Sequence, residues 1–209
     1  MKYIEKKKPE DPMFGKWHKA GGWDASEPGS KIFNPKAQKL KHEVKKLLLN
    51  EQGHICCYCE ERITETNSHI EHLLPRGQFP KSKQDYTNLL CSCDYPKSCG
   101  HSKGKSTITV SPLQKICEGA FRYDDNGKVL GNDQDSTETI RVLQLDCEQL
   151  KAARRMIIDV FLNTLPEDIT VSEYDDWIDD YLKPDSGNRF RPFWTVVKLI
   201  AQKYRSCIE

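Results

Sequence analysis

The 209-residue sequence predicts an α+β chain, mostly helical, with a small zinc-bearing ββα core between an N-terminal arm and a helical C-terminal extension. Three observations predict it. Six of the nine cysteines fall between Cys56 and Cys99, which suits a metal-stapled module more than a buried core. A polar segment, HIEHLLPRG at 69–77, lies between the two cysteine groups and reads as a strand and turn. Amphipathic helical runs flank this region on both sides.

Taken in order, residues 1–34 are rich in Lys, Pro, Gly and Trp and read as an irregular arm pinned by Trp17 and Trp23. Residues 35–51 form a helix. Pro35 stands in its first turn, and Leu40, Val44, Leu47 and Leu48 recur at helical spacing, with Gly53 as the stop. Residues 54–106 read as a hairpin and a short helix, so 35–110 is one core with its leading helix. In 123–136 the DDNGK turn signal predicts a small ribbon. Beyond it the extension, 111–209, is helical. Asp146 is the expected cap of a helix lined by Leu150, Ala153, Ile157 and Phe161. Ser172 with Asp175 resembles a capping box, and Pro192 can open the last helix.

Composition narrows the function. The net charge of +1 hides 19 Lys+Arg against 13 Asp+Glu in residues 1–110, and 13 against 18 in residues 111–209. A basic half suits a nucleic-acid surface. No apolar run approaches the roughly 18 residues of a membrane span, and no secretory leader is visible. A cytoplasmic location with reduced thiols is therefore expected. No GxxxxGK[ST] loop occurs in this chain, so any nucleotide hydrolysis belongs to another one.

Cys56 and Cys59 form a C-x2-C pair, suited to half of a tetrahedral zinc site. Cys91, Cys93 and Cys99 compete for the other two places. Four thiolates leave no open position for water, so this zinc is expected to be structural.

His72, Asn88 and His101 follow in the order H…N…H. With CCYCE, IEHLLPRG, YTNLLCSC and CGHSKGK, the chain resembles the HNH nucleases, whose active site is a ββα-metal unit. The resemblance selects Cys93 over Cys91, giving Cys56, Cys59, Cys93 and Cys99 as the structural Zn²⁺ ligands. It implies His72 as general base, with Glu71 and His101 as ligands of a catalytic Mg²⁺ or Mn²⁺. Asn88 would orient His72 through backbone hydrogen bonds. His69 is a further candidate ligand or phosphate contact. Arg76, Lys81, Lys83, Lys97, Lys103 and Lys105 are candidate phosphate contacts. Two departures stand out: Gly100 separates Cys99 from His101, and DYPKS stretches the Cys93–Cys99 interval. Adjacent strand residues point to opposite faces, so Glu71 and His72 need a twisted backbone to share a site.

The lead-in LKHEVKKLLLNEQGHICCYCE and the run TIRVLQLDCEQLKAARR sharpen the resemblance towards one group. It is the small, PtuB-like HNH subunit of Septu-type anti-phage systems, including those found with retrons. That resemblance implies a nucleic-acid substrate, DNA or tRNA/RNA, and a PtuA-like ABC-type ATPase partner. In retron-linked systems it implies the reverse transcriptase and its RNA–DNA product as well. The aromatic residues Trp177, Tyr181, Phe190, Phe193 and Trp194 offer either helical core or a docking surface. The competing reading of the whole is a non-catalytic zinc module that binds nucleic acid or tethers a partner.

Overall fold

The segment expected as an irregular arm contains two short helices, α1 (Pro12–Lys19) and α2 (Gly22–Ser26). Local composition disfavours helix there, and tertiary burial overrides it. Trp17 is fully buried, and its Nε1–H donates to Ser26 Oγ at 2.8 Å. Trp23 is buried as well. Both helices pack on α3 (Pro35–Glu51). The computed structural model describes residues 1–6, 12–166, 168–206 and 208; residues 7–11 of the arm and Cys207 lie outside them.

Helix α3 has the limits that its spacing predicts. Asn34 caps it by accepting from the Lys36 N–H, and Pro35 occupies the first turn. Val44, Leu48 and Leu49 are buried, so Leu49 takes an inward place that the sequence reading gave to Leu47.

The cysteine region follows. Strands β1 (Ser68–His72) and β2 (Leu89–Cys93) form an antiparallel pair in which Ser68 faces Cys93 and His72 faces Leu89. The short helix α4 (Cys99–Lys103) packs on β2. The ribbon expected in 123–136 is present as β3 (Phe121–Tyr123) and β4 (Val129–Gly131), also antiparallel. Helices α5 (Gln134–Leu143), α6 (Glu148–Asn163), α7 (Val171–Leu182) and α8 (Trp194–Arg205) complete the chain. The architecture is α+β, with eight α-helices and two small sheets among the described residues. No helix is long and apolar enough to cross a membrane among those residues.

Three expected helix starts are displaced. Asp146 does not cap α6, because its Oδ1 accepts the Val129 N–H at 3.2 Å and so ties the helix to the ribbon. The capping box of α7 is Thr170 with Glu173, two residues before the expected pair, just after Ile169 packs on the core of the extension. Helix α8 begins at Trp194 after a left-handed Phe193, two residues past Pro192.

One buried cluster joins residues from Met1, Trp17 and Trp23 through the cysteines to Leu150. A second contains Ile158, Phe161, Tyr174, Phe193 and Val197, with Trp177 and Tyr181 packed against it. The aromatic residues of the extension therefore serve largely as helical core. Buried Glu60 links the two regions: Phe193 N donates to its backbone oxygen at 3.0 Å and Thr195 N to its Oε2 at 2.7 Å. Arg154 links α6 to the ribbon, donating to Gly127 O at 2.6 Å and Leu145 O at 2.9 Å. Arg154→Ala leaves both buried carbonyls unpaired and is expected to cost about 3 kcal/mol. Urea denaturation with an unchanged slope is the measurement.

Candidate metal and active site

The cage is built by a turn, a strand end and a helix start. Cys56 and Cys59 sit on the turn that the Glu60 N–H closes onto Cys56 O. Cys93 ends β2 and Cys99 opens α4. All four side chains are buried, with their sulfurs within 4.8 Å of one another. Cys91 is turned away, its Sγ lying 3.8 Å from Lys45 O.

The chemistry of this donor set fits a tetrahedral dication. Burial opposes ionisation of Cys56, yet hydrogen bonds from Cys57, Cys59, Cys93 and Cys99 hold its thiol well below the usual value. Hydrogen bonding with Cys56 pushes Cys59 and Cys99 well above it. Four adjacent thiolates repel one another, and a cation such as Zn²⁺ is what allows all four to ionise. The buried four-cysteine group could thus hold a zinc ion.

On β1 the side chains alternate. His69 and Glu71 share the face under α4, where a Cβ built on Gly100 would lie 2.6 Å from His69 Nε2 and 2.8 Å from Glu71 Oε2. His72 takes the opposite face, against the edge of Trp23 at a ring distance of 4.5 Å. The strand pairs with β2 in unbroken register over its five residues, so Glu71 and His72 keep opposite faces. Instead His69, Ile70, Glu71 and His72 all line one cleft of about 510 Å³, together with Trp23, Lys41, Arg76 and Lys105.

His72 Nε2 lies 2.9 Å from Lys83 O. A carbonyl only accepts, so that nitrogen carries the proton and Nδ1 keeps its lone pair. Burial pulls the imidazole below its usual value, with the Lys83 carbonyl opposing. Asn88 fixes the segment carrying that carbonyl. Its Oδ1 accepts from Leu74 N at 2.7 Å, and its Nδ2 donates to Leu74 O at 3.1 Å and Ser82 O at 3.0 Å.

Glu71 is held on three sides. Lys103 Nζ lies 2.8 Å from its Oε1, the Tyr58 hydroxyl donates to the same oxygen at 3.1 Å, and His69 Nε2 lies 3.5 Å from Oε2. Burial would raise its carboxyl, but His69 and Lys103 prevail and lower it. The expectation that Lys103 meets phosphate is corrected here. Its side chain is buried and its Nζ also donates to His72 O at 2.9 Å, so it is a strut beneath the strand. Lys83 is engaged by Asp24. Arg76 and Lys105 line the cleft, whereas the exposed Lys81 and Lys97 are not among its lining residues.

His101 is brought to His69, with ring centroids 4.6 Å apart, but Glu71 is not part of the close donor set. That set is His69, Asp94 and His101, their ligand atoms within 4.8 Å of one another. Asp94 escaped the sequence reading. The available signal was its position directly after Cys93, a residue already assigned to the cage.

Gly100 also acquires a reason. With Glu71 pinned by Lys103 and Tyr58, a side chain at 100 has no room. Gly100→Ala is expected to displace His69 and weaken divalent-ion binding at this face by about 10-fold, as loss of ligand orientation does. Calorimetric titration of the zinc-loaded variant checks it.

No family model matches the chain. Over 97 residues it is 28% identical to a Vibrio cholerae protein named "Retron Vc95 putative HNH endonuclease", covering 43% of this chain and 47% of that protein. Over 75 residues it is 33% identical to "Septu protein PtuB" of Bacillus thuringiensis, covering 35% of this chain and 28% of that protein. The matched region thus spans less than half the length of either relative. In sequence the chain is similar to proteins of retron and Septu defence systems, one of them named an HNH endonuclease, which supports its resemblance to HNH nucleases of such systems.

Proposed function

We propose that the chain is a metal-dependent endonuclease of the HNH kind. It hydrolyses phosphodiester bonds of DNA or RNA as the effector of an anti-phage defence complex containing an ABC-type ATPase. One observation carries the catalytic reading: Asn88 clamps the segment whose Lys83 carbonyl fixes the tautomer of His72, a base lining a cleft. A module that only binds nucleic acid has no need of an imidazole oriented in this way.

The geometry supports the following roles. His72 Nδ1 takes a proton from the attacking water while Nε2–H stays on Lys83 O. A neutral imidazole is available at neutral pH because burial lowers its affinity for the proton. Arg76 and Lys105 contact phosphates at the cleft, and Lys97 extends the basic track beyond it. A divalent ion at the His69–Glu71–His101 side of the hairpin would supply positive charge to the scissile phosphate and the leaving 3′ oxygen. Zinc in the cysteine cage would hold hairpin and helix together. The names of the two relatives support the defence context.

The test is cleavage of plasmid DNA and total tRNA with Mg²⁺ or Mn²⁺ against EDTA, for wild type and His72→Ala, with and without a PtuA-like ABC-type ATPase. Metal-dependent cutting that the substitution removes supports the reading. Equal cutting by the variant overturns the assignment of His72. Failure of both to cut, with zinc still bound, favours a binding module.

A further inference from the structure

We propose that His69, Asp94 and His101 hold one divalent transition-metal ion, and that Glu71 orients His69 from behind. This rests on the nuclease reading and changes its expected ion site, which paired Glu71 with His101.

The spacing of the donors suits a shared ion. His69 Nδ1 lies 2.8 Å from Asp94 Oδ1, and His101 Nε2 lies 3.4 Å from the same oxygen. Two donors bonded at about 2.1 Å and at right angles stand about 3.0 Å apart. The site is also open: the side chains of Asp94 and His101 are 41% and 49% exposed, leaving room for water and a phosphate oxygen. Glu71, by contrast, has its charge answered by buried Lys103 and a hydrogen bond from Tyr58. Its Oε2 faces His69 Nε2, the nitrogen that does not face Asp94. That is the arrangement of a carboxylate fixing the tautomer and direction of a ligating imidazole.

The donor types choose the ion. Two imidazoles and one carboxylate suit Mn²⁺, Co²⁺ or Zn²⁺, while Mg²⁺ favours oxygen shells. A Mn²⁺ site made from this set therefore discriminates against Mg²⁺.

The experiment uses the full chain with one zinc retained in the cysteine cage, and Mn²⁺ as probe. Free Mn²⁺ is counted by electron paramagnetic resonance, and pulsed spectra report bound ¹⁴N. The expected result is one Mn²⁺ per chain with imidazole ¹⁴N coupling, undisplaced by a tenfold excess of Mg²⁺. Asp94→Ala and His101→Ala should each weaken binding about 100-fold or more, and Glu71→Gln about 10-fold with the ¹⁴N coupling kept. Unchanged zinc content and circular dichroism show that the variants fold. Binding indifferent to Asp94→Ala, or ready displacement by Mg²⁺, overturns the site, as does Glu71→Gln abolishing binding. Binding as expected without cleavage of any nucleic acid would leave this site standing and remove the nuclease reading. Metal-dependent cleavage with Asp94→Ala binding like wild type would do the reverse.

Discussion

Zinc removal by a strong chelator is expected to unfold the region from Ile55 to Lys103. The four cysteines belong to the larger buried cluster, which also holds Tyr58, Ile70 and Leu90. The hairpin has two five-residue strands and the helix after it has five residues. Elements this short bury too little apolar surface to stand alone. A structural zinc contributes about 10 kcal/mol or more of apparent binding free energy in small modules. Domains as a whole are stable by about 5–15 kcal/mol, so losing the ion removes most or all of the margin. Cys93→Ser should do the same, because three thiolates and a hydroxyl bind zinc far more weakly. Hydrogen exchange followed by mass spectrometry, with zinc released and counted, is the measurement. The amides of Cys57, which donates to Cys91 O, and of Cys93 should lose protection first. Undiminished protection in zinc-free protein would show that packing alone supports the hairpin.

His72→Ala is expected to lower the cleavage rate by about 10²–10⁴-fold, the usual contribution of a positioned base. Zinc content and thermal midpoint report whether the hairpin survives the substitution. The pH profile gives a second handle. Burial is the main influence lowering the imidazole, Arg76 and Lys103 adding to it while the Lys83 carbonyl and Glu71 oppose. A base in this position would work when neutral, so the rate should climb with pH through a value below the ordinary imidazole range and be level at neutrality. Trp23→Ala uncovers the ring and should move that inflection upward, towards the ordinary value. A profile still climbing through neutral pH in wild type would argue against a buried base.

Features set by local spacing were legible in the sequence. The limits of α3 follow from Asn34, Pro35 and the apolar period, and the ribbon follows from its turn. The C-x2-C turn pointed directly to a cage. What escaped was juxtaposition through space. Nothing near Trp23 says that its ring will cover His72, which is 49 residues away in the chain. Lys103 looks like any basic residue until β1 places Glu71 and the His72 carbonyl around its amine. Asp94 is silent for the same reason, since its value comes from His69 across the hairpin. The displaced caps of α6 and α7 show a milder form: several capping residues lie within a few positions, and packing chooses among them.

The cage and the proposed ion site use neighbouring residues on two supports, Cys93 with Asp94 and Cys99 with His101. Chain between these supports is pinned at both ends and exposed at Pro96 and Lys97. Lengthening such a loop costs little, about 0.6 kcal/mol for each doubling. Insertions there would leave both sites where they are, which accounts for an interval wider than the usual cysteine pair. A search pattern that fixes the number of residues between the two cysteines would therefore reject sound relatives. One written on the pair Cys-Asp and the triplet Cys-Gly-His would test the contacts on which the cage and the proposed ion site depend.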